Sequence, residues 1–298
     1  THRPIGLGIM GFQDALYIKK IPYASEHAVT FADESMEMVS YYAIKSSSDL
    51  AAERGAYSSY KGSLWSKGIL PLDSVELLKK ERGEEFIEVD TTTRLDWEGL
   101  KKIVKKQGMR NSNVMAIAPT ATIANITGLT QSIEPTYSNL FVKSNLSGEF
   151  TIINMHLVDA LKEIGMWDEV MVYDLKNLNG SLEGINRFPE ELKKLFATSF
   201  EVEPKWLIEA ASRRQKWIDQ SQSLNLYVSE PNGKKLDVMY KMAWLRGLKT
   251  TYYLRSRSAT TSEKSTITNL ELNAVAANQG SEAPEACSIL DPDCEACQ

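Results

Sequence analysis

Three groups of residues in this 298-residue chain have types and spacings suited to chemistry. The first is the turn Pro119-Thr120-Ala121-Thr122-Ile123, which follows the apolar run Val114 to Ala118. A short apolar run ended by proline reads as a buried strand, and the small and hydroxylated residues after it can open a helix. Strand, tight turn and helix start together aim free backbone N–H groups and the positive end of the helix dipole at one point, which suits a phosphate. Threonine hydroxyls add donors, and Ala121 permits close approach to the backbone. An ordinary capped helix start has the same features, so the pattern alone leaves both readings open.

The second group is the adjacent pair Tyr252 and Tyr253 in the segment Gly247 to Arg255. A phenol can lose an electron and a proton together. Neighbouring strand residues, however, point to opposite faces, so the ordinary arrangement is one core tyrosine and one surface tyrosine. The third group is Cys294-Glu295-Ala296-Cys297. With Cys287 it offers three sulfurs, but a closed zinc site wants four N or S ligands and no histidine lies nearby, so thiol–disulfide exchange is the better reading. No role follows for Cys287. His2, His27 and His156 are scattered, with neither metal spacing nor triad order, and no metal ligand set is assigned.

One motif is set aside. Gly6, Gly8 and Gly11 match GxGxxG, with Asp33 about twenty residues on, but the fingerprint needs a strand before its first glycine and only five residues precede Gly6. These glycines more plausibly allow close backbone approach inside an extended segment.

Composition narrows the class. Hydrophobic residues make up 43% and charged residues 24%, ordinary for a soluble globular chain with a sizeable core. No apolar run approaches the ~18 residues of a membrane span. Few cysteines, two of them as CxxC, fit a reducing, cytoplasmic setting. From Ala259 to Gln298 there are seven acidic residues against Lys264, and no aromatic residue, so this tail carries −6 and the remainder is nearly neutral. A near-neutral body gives no electrostatic case for nucleic acid. The tail cannot bury enough surface to offset its ordering entropy, and residues 259–298 are predicted to be a flexible tether, separate from a folded unit over 1–258.

The elements that must position these groups alternate. Extended segments are predicted at Arg3 to Phe12, Val114 to Ala118, Leu224 to Val228 and Thr250 to Arg255. Helices are predicted over Glu26 to Arg54, capped by Gly55, and over Trp97 to Gln107, capped by Asp96. Further helices are predicted over Ile153 to Ile164, Pro189 to Ala197, Pro204 to Ser221 and Leu236 to Arg246. Lys61 to Asp73 reads as a loop and Pro231-Asn232-Gly233 as a turn. Strands separated by helices imply a parallel α/β arrangement.

The text of the first group is more specific than its pattern. The stretch Asn113 to Phe150, NVMAIAPTATIANITGLTQSIEPTYSNLFVKSNLSGEF, resembles the diphosphate-binding turn of class I ribonucleotide reductase large subunits and its continuation. Gly247 to Arg255 resembles that family's paired-tyrosine strand, and the CxxC near the end resembles its redox tail. The resemblance implies the C-terminal part of a ten-stranded α/β barrel, with Asn113 to Ala118 and Thr250 to Arg255 as barrel strands. It implies that Pro119, Thr120, Ala121, Thr122 and Ile123 hold the substrate diphosphate. Tyr252 and Tyr253 would be stacked and relay a radical, and Cys294 and Cys297 would deliver reducing equivalents from thioredoxin or glutaredoxin. The family's thiyl-radical cysteine has no counterpart here, because no cysteine precedes Cys287. The resemblance therefore implies two protein partners: the N-terminal part of the same large subunit, and a metal-containing small subunit that supplies the radical. The substrate would be a ribonucleoside diphosphate, no cofactor would be bound by the chain itself, and the chain would be inactive alone. The competing reading is a non-catalytic nucleotide-diphosphate binding module or dithiol carrier.

Overall fold

The computed structural model describes residues 1–145 and 148–257; the predicted flexible tail, with Cys287, Cys294 and Cys297, lies outside them. In chain order the elements are α1 (Phe12–Ile18), α2 (Glu26–Arg54), α3 (Leu64–Lys67), α4 (Ser74–Arg82), α5 (Trp97–Gln107) and α6 (Ala121–Thr127). They continue with the strands β1 (Leu140–Asn145) and β2 (Gly148–Ile153), then α7 (Met155–Glu163), α8 (Glu169–Asn177), α9 (Glu190–Leu195) and α10 (Pro204–Gln215). The last three are β3 (Leu226–Val228), α11 (Gly233–Leu245) and β4 (Leu254–Ser256).

Backbone hydrogen bonds set four extended segments side by side in chain order, all parallel. Leu7 N–H donates to Val114 C=O at 2.7 Å, and Ala116 N–H returns to Leu7 C=O at 3.0 Å. Ile117 N–H donates to Ser221 C=O at 3.1 Å and Ser223 N–H to Ile117 C=O at 2.9 Å. Tyr252 N–H donates to Leu224 C=O at 2.8 Å and Leu226 N–H to Tyr253 C=O at 2.9 Å. The α/β arrangement predicted from the alternation of elements is present. A closed barrel is not: among the described residues the array is an open arc.

Local chemistry explains why the arc is ragged. The predicted strand at Val114 to Ala118 pairs only at Met115 and Ile117. The Asp219 carboxylate takes the N–H groups of Val114 at 3.0 Å and Met115 at 2.6 Å, which are then spent on a side chain. Gly6 and Gly8 let the first segment approach closely, since a Cβ on Gly8 would come within 2.4 Å of the Ala116 carbonyl oxygen. Close approach, not a dinucleotide fingerprint, is what these glycines serve. Gly11, at φ +73°, starts α1, so the predicted strand ends before Phe12.

Helix α2 has its predicted bounds. Ser25 accepts from Ala28 N–H at its start and Gly55, at φ +81°, ends it. Its buried face is more polar than the apolar spacing suggested: Asp33, Glu37, Ser40 and Ser47 lie under it beside Ala32, Met36 and Ile44. Asp33 holds the fully buried Lys216 at 3.1 Å and accepts from Trp217 Nε1 at 2.7 Å, while Glu37 accepts from Trp97 Nε1 at 3.0 Å. The two indoles stack at 5.0 Å. These bonds knit α2 to the neighbourhoods of α5 and α10.

Other bounds move. The turn at Pro231 to Gly233 is a helix cap, since Asn232 Oδ1 accepts from Lys235 N–H and α11 starts at Gly233. The predicted helix from Pro204 ends at Gln215, and Ile153 belongs to β2 instead of the following helix. Lys61 to Asp73 contains the short helix α3, with Trp65 buried as predicted. The β1–β2 hairpin, antiparallel with Leu140 opposite Ile153, and helices α4 and α8 were not read from the sequence. Among the described residues no helix is long and apolar enough to cross a membrane.

Candidate functional site

The turn after the second extended segment has the predicted form. Pro119 leads into Thr120, and α6 runs from Ala121 to Thr127. Ala124 is fully buried and anchors the helix, while Pro119, Ala121, Thr122 and Ile123 are exposed and Thr120 is half-buried. The first intrahelical bond is Ala124 N–H to Thr120 C=O at 2.8 Å, so the N–H groups of Ala121, Thr122 and Ile123 precede it. Thr120 occupies the capping position without capping: its Oγ1 accepts from Ser132 N–H at 2.8 Å.

The tyrosine pair departs from strand alternation. Tyr252 and Tyr253 lie just before β4, both exposed, with ring centres 4.1 Å apart. The Tyr252 hydroxyl donates to that of Tyr253 at 3.3 Å, and this bond raises the Tyr252 pKa. The backbone is held on the β3 side, where Tyr253 N–H donates to Asn225 Oδ1 at 3.1 Å. Two phenols in ring contact can pass an electron and a proton over a short distance.

A buried polar cluster that sequence reasoning missed ties the two features together. Glu134 accepts from the Tyr227 hydroxyl at 2.8 Å, and Asn225 also bonds to Glu134. Burial pushes the Glu134 carboxyl up to about 7 against the opposing pull of Tyr227, Asn225 and the Arg255 charge. Burial, then the Glu134 charge, pushes the Tyr227 phenol far up. Beside them Arg214 is fully buried, 4.1 Å above the Phe12 ring, and desolvation lowers its pKa. Tyr23 donates to Ile133 C=O at 2.8 Å and is pushed up to about 12 by burial. The loop from Thr130 to Pro135 thus touches Thr120 through Ser132 and the Tyr253 support through Glu134. Glu134 stands inside the quoted IEP text, and that text was the only signal for it in the sequence.

Cys294 and Cys297 lie outside the described residues, and among those residues no group of three or more His, Cys, Asp or Glu side chains could hold a metal ion.

The ribonucleotide reductase barrel-domain model matches residues 1–254. The chain is 57% identical to the ribonucleoside-diphosphate reductase subunit alpha of Chlamydia trachomatis, an alignment that covers 100% of this chain and 30% of that protein. It is 42% identical to the ribonucleoside-diphosphate reductase large subunit of Danio rerio, covering 86% of this chain and 31% of the other. Among solved structures, the Actinobacillus ureae class Id ribonucleotide reductase alpha subunit superposes with a TM-score of 0.65 at 26% identity, over 87% of this chain and 40% of that one. An α/β fold with these matches defines the class, and the chain belongs to the ribonucleotide reductase large-subunit family. It spans about 30% of the length of the curated relatives it matches.

Proposed function

We propose that this chain is the portion of a ribonucleotide reductase large subunit that holds the substrate diphosphate, relays the radical and regenerates the active-site dithiol. The observation that carries the reading is the contact of Tyr252 and Tyr253 within a chain of this family. Pro119 to Ile123 hold the diphosphate of a ribonucleoside diphosphate with first-turn N–H groups and the helix dipole. A near-neutral body makes this backbone mode, without a lysine cluster, the reasonable one. Tyr252 and Tyr253 relay the oxidising equivalent between the radical-bearing small subunit and a cysteine contributed by the N-terminal part of the large subunit. Cys294 and Cys297 exchange with the active-site disulfide and are themselves reduced by thioredoxin or glutaredoxin. The product is the 2′-deoxyribonucleoside diphosphate.

The test is reduction of a ribonucleoside diphosphate by this chain mixed with the N-terminal part, a radical-bearing small subunit and thioredoxin. Deoxynucleotide formed only in the full mixture supports the reading. No product, with both parts folded and bound to each other, favours a binding module or dithiol carrier instead.

A further inference from the structure

Arg255 stands two residues beyond Tyr253, and its guanidinium carbon is 5.3 Å from the Tyr253 ring centre, within the range of a cation–π contact. Across the parallel ladder Arg255 is paired with Tyr227, whose hydroxyl donates to the buried Glu134. The cation therefore has a phenol ring on one side and a carboxyl whose proton affinity it lowers on the other. The remaining groups around Tyr253 are Tyr252 in ring contact and the neutral Asn225 on its backbone. Arg257 is engaged elsewhere, 5.1 Å above the Phe200 ring.

We propose that Arg255 is a positioning residue of the tyrosine pair, its guanidinium tuning the Tyr253 phenol through the ring face; the proposal rests on the relay reading above. A cation over the ring penalises positive charge on it and favours the phenolate, so loss of an electron ahead of the proton becomes the costly route. Transfer within the pair is then held to electron and proton together. When a Tyr253 phenoxyl radical, formed by the tyrosyl radical of the small subunit, is quenched by Tyr252, the Tyr252 O–H bond breaks and a Tyr253 O–H bond forms. Tyr252 is oxidised by one electron, Tyr253 is reduced by one, and neither ring is left charged. The 3.3 Å separation of the two oxygens suits that transfer.

The experiment places 3-fluorotyrosine at position 253 of the full chain and follows its ionisation by fluorine NMR. Arg255→Gln should move the titration midpoint up by about 0.5 pH unit, the size of an exposed cation–π contact, and Arg255→Lys should keep most of the effect. An unmoved midpoint in Arg255→Gln, with the circular dichroism unchanged, overturns the proposal. In the reassembled enzyme Arg255→Gln should lower kcat and leave KM for the nucleoside diphosphate unchanged. A loss confined to KM would also overturn it. A shifted midpoint together with full turnover by Tyr253→Phe would instead retire the relay reading, so the two failures are separable.

Discussion

Glu134 carries a protonation equilibrium that the fold has displaced. Its carboxyl is pushed up to about 7 by burial, from an unfolded value of about 4.3. The folded state therefore binds more protons than the unfolded state between those two values, and stability falls as pH rises through that window. The full displacement corresponds to about 3 kcal/mol, present below pH ~4 and lost above pH ~7. Urea melts between pH 5 and 8 should show this decline, and Glu134→Gln should flatten it; an equal slope in both proteins would contradict the assignment. The tyrosines make a different demand. Replacing both Tyr252 and Tyr253 with phenylalanine should leave diphosphate affinity intact, measured by calorimetry, and abolish turnover of the reassembled enzyme, since phenylalanine has no oxidisable hydroxyl. Turnover that survives the double replacement removes the relay assignment. For the cysteines, Cys294→Ser should allow one stoichiometric turnover, because the active-site dithiol starts reduced, and block steady-state turnover with thioredoxin. Full steady-state rates in that variant would be incompatible with a delivery arm.

Elements were legible where local chemistry fixes their ends. Helix α2 runs from the Ser25 cap to Gly55, and α5 from the Asp96 cap to Gly108, as read from the sequence, because cap and left-handed glycine act within a few residues. The phosphate turn was legible for the same reason. The strand bounds were not, because pairing depends on distant groups: Asp219 takes two N–H groups from the second segment, and Tyr252 and Tyr253 leave strict alternation to meet each other. The polar underside of α2 was also hidden, since Asp33 and Glu37 are buried only because Lys216, Arg94 and two indoles, far along the chain, satisfy them. Glu134 was missed for that reason too, its partners Tyr227 and Asn225 lying about ninety residues on. The close packing of the first two segments gives a test at this scale. Gly8→Ala drives a Cβ to 2.4 Å from the Ala116 carbonyl oxygen and should cost about 2 kcal/mol or more by forcing the segments apart. Gly233→Ala, where nothing lies within 4 Å, should be neutral or slightly stabilising. Equal melting temperatures for Gly8→Ala and the parent chain would mean that the first segment does not pack against the second as described.

The whole molecule is an open arc with two unfinished edges. Among the described residues, the segment around Leu7 pairs on one side only, with Val114 to Ala116, and β4 pairs only with β3. Ile5 and Leu7 are nearly half exposed, 47% and 46%, and Ile123, Ile126 and Leu129 add exposed apolar surface close by. Unpaired parallel edges bordered by apolar side chains are templates for another chain. The chain alone should therefore be weakly stable or prone to aggregate, and a sharp melt from a monodisperse monomer would count against this. The same geometry locates where a further part of the large subunit would join. Ile5 and Leu7 donate their N–H groups inward, to Asn113 and Val114, so the intervening amide of Gly6 and that of Gly8 face the open side. Those two amides should exchange rapidly with solvent in the isolated chain and become protected when the N-terminal part is added. Protection at Gly6 and Gly8 that appears in step with nucleoside diphosphate reduction would show that completing the sheet edge and assembling the catalytic machinery are one event. Full activity with both amides still exchanging freely would place the junction elsewhere, on the β4 side or on the helical faces.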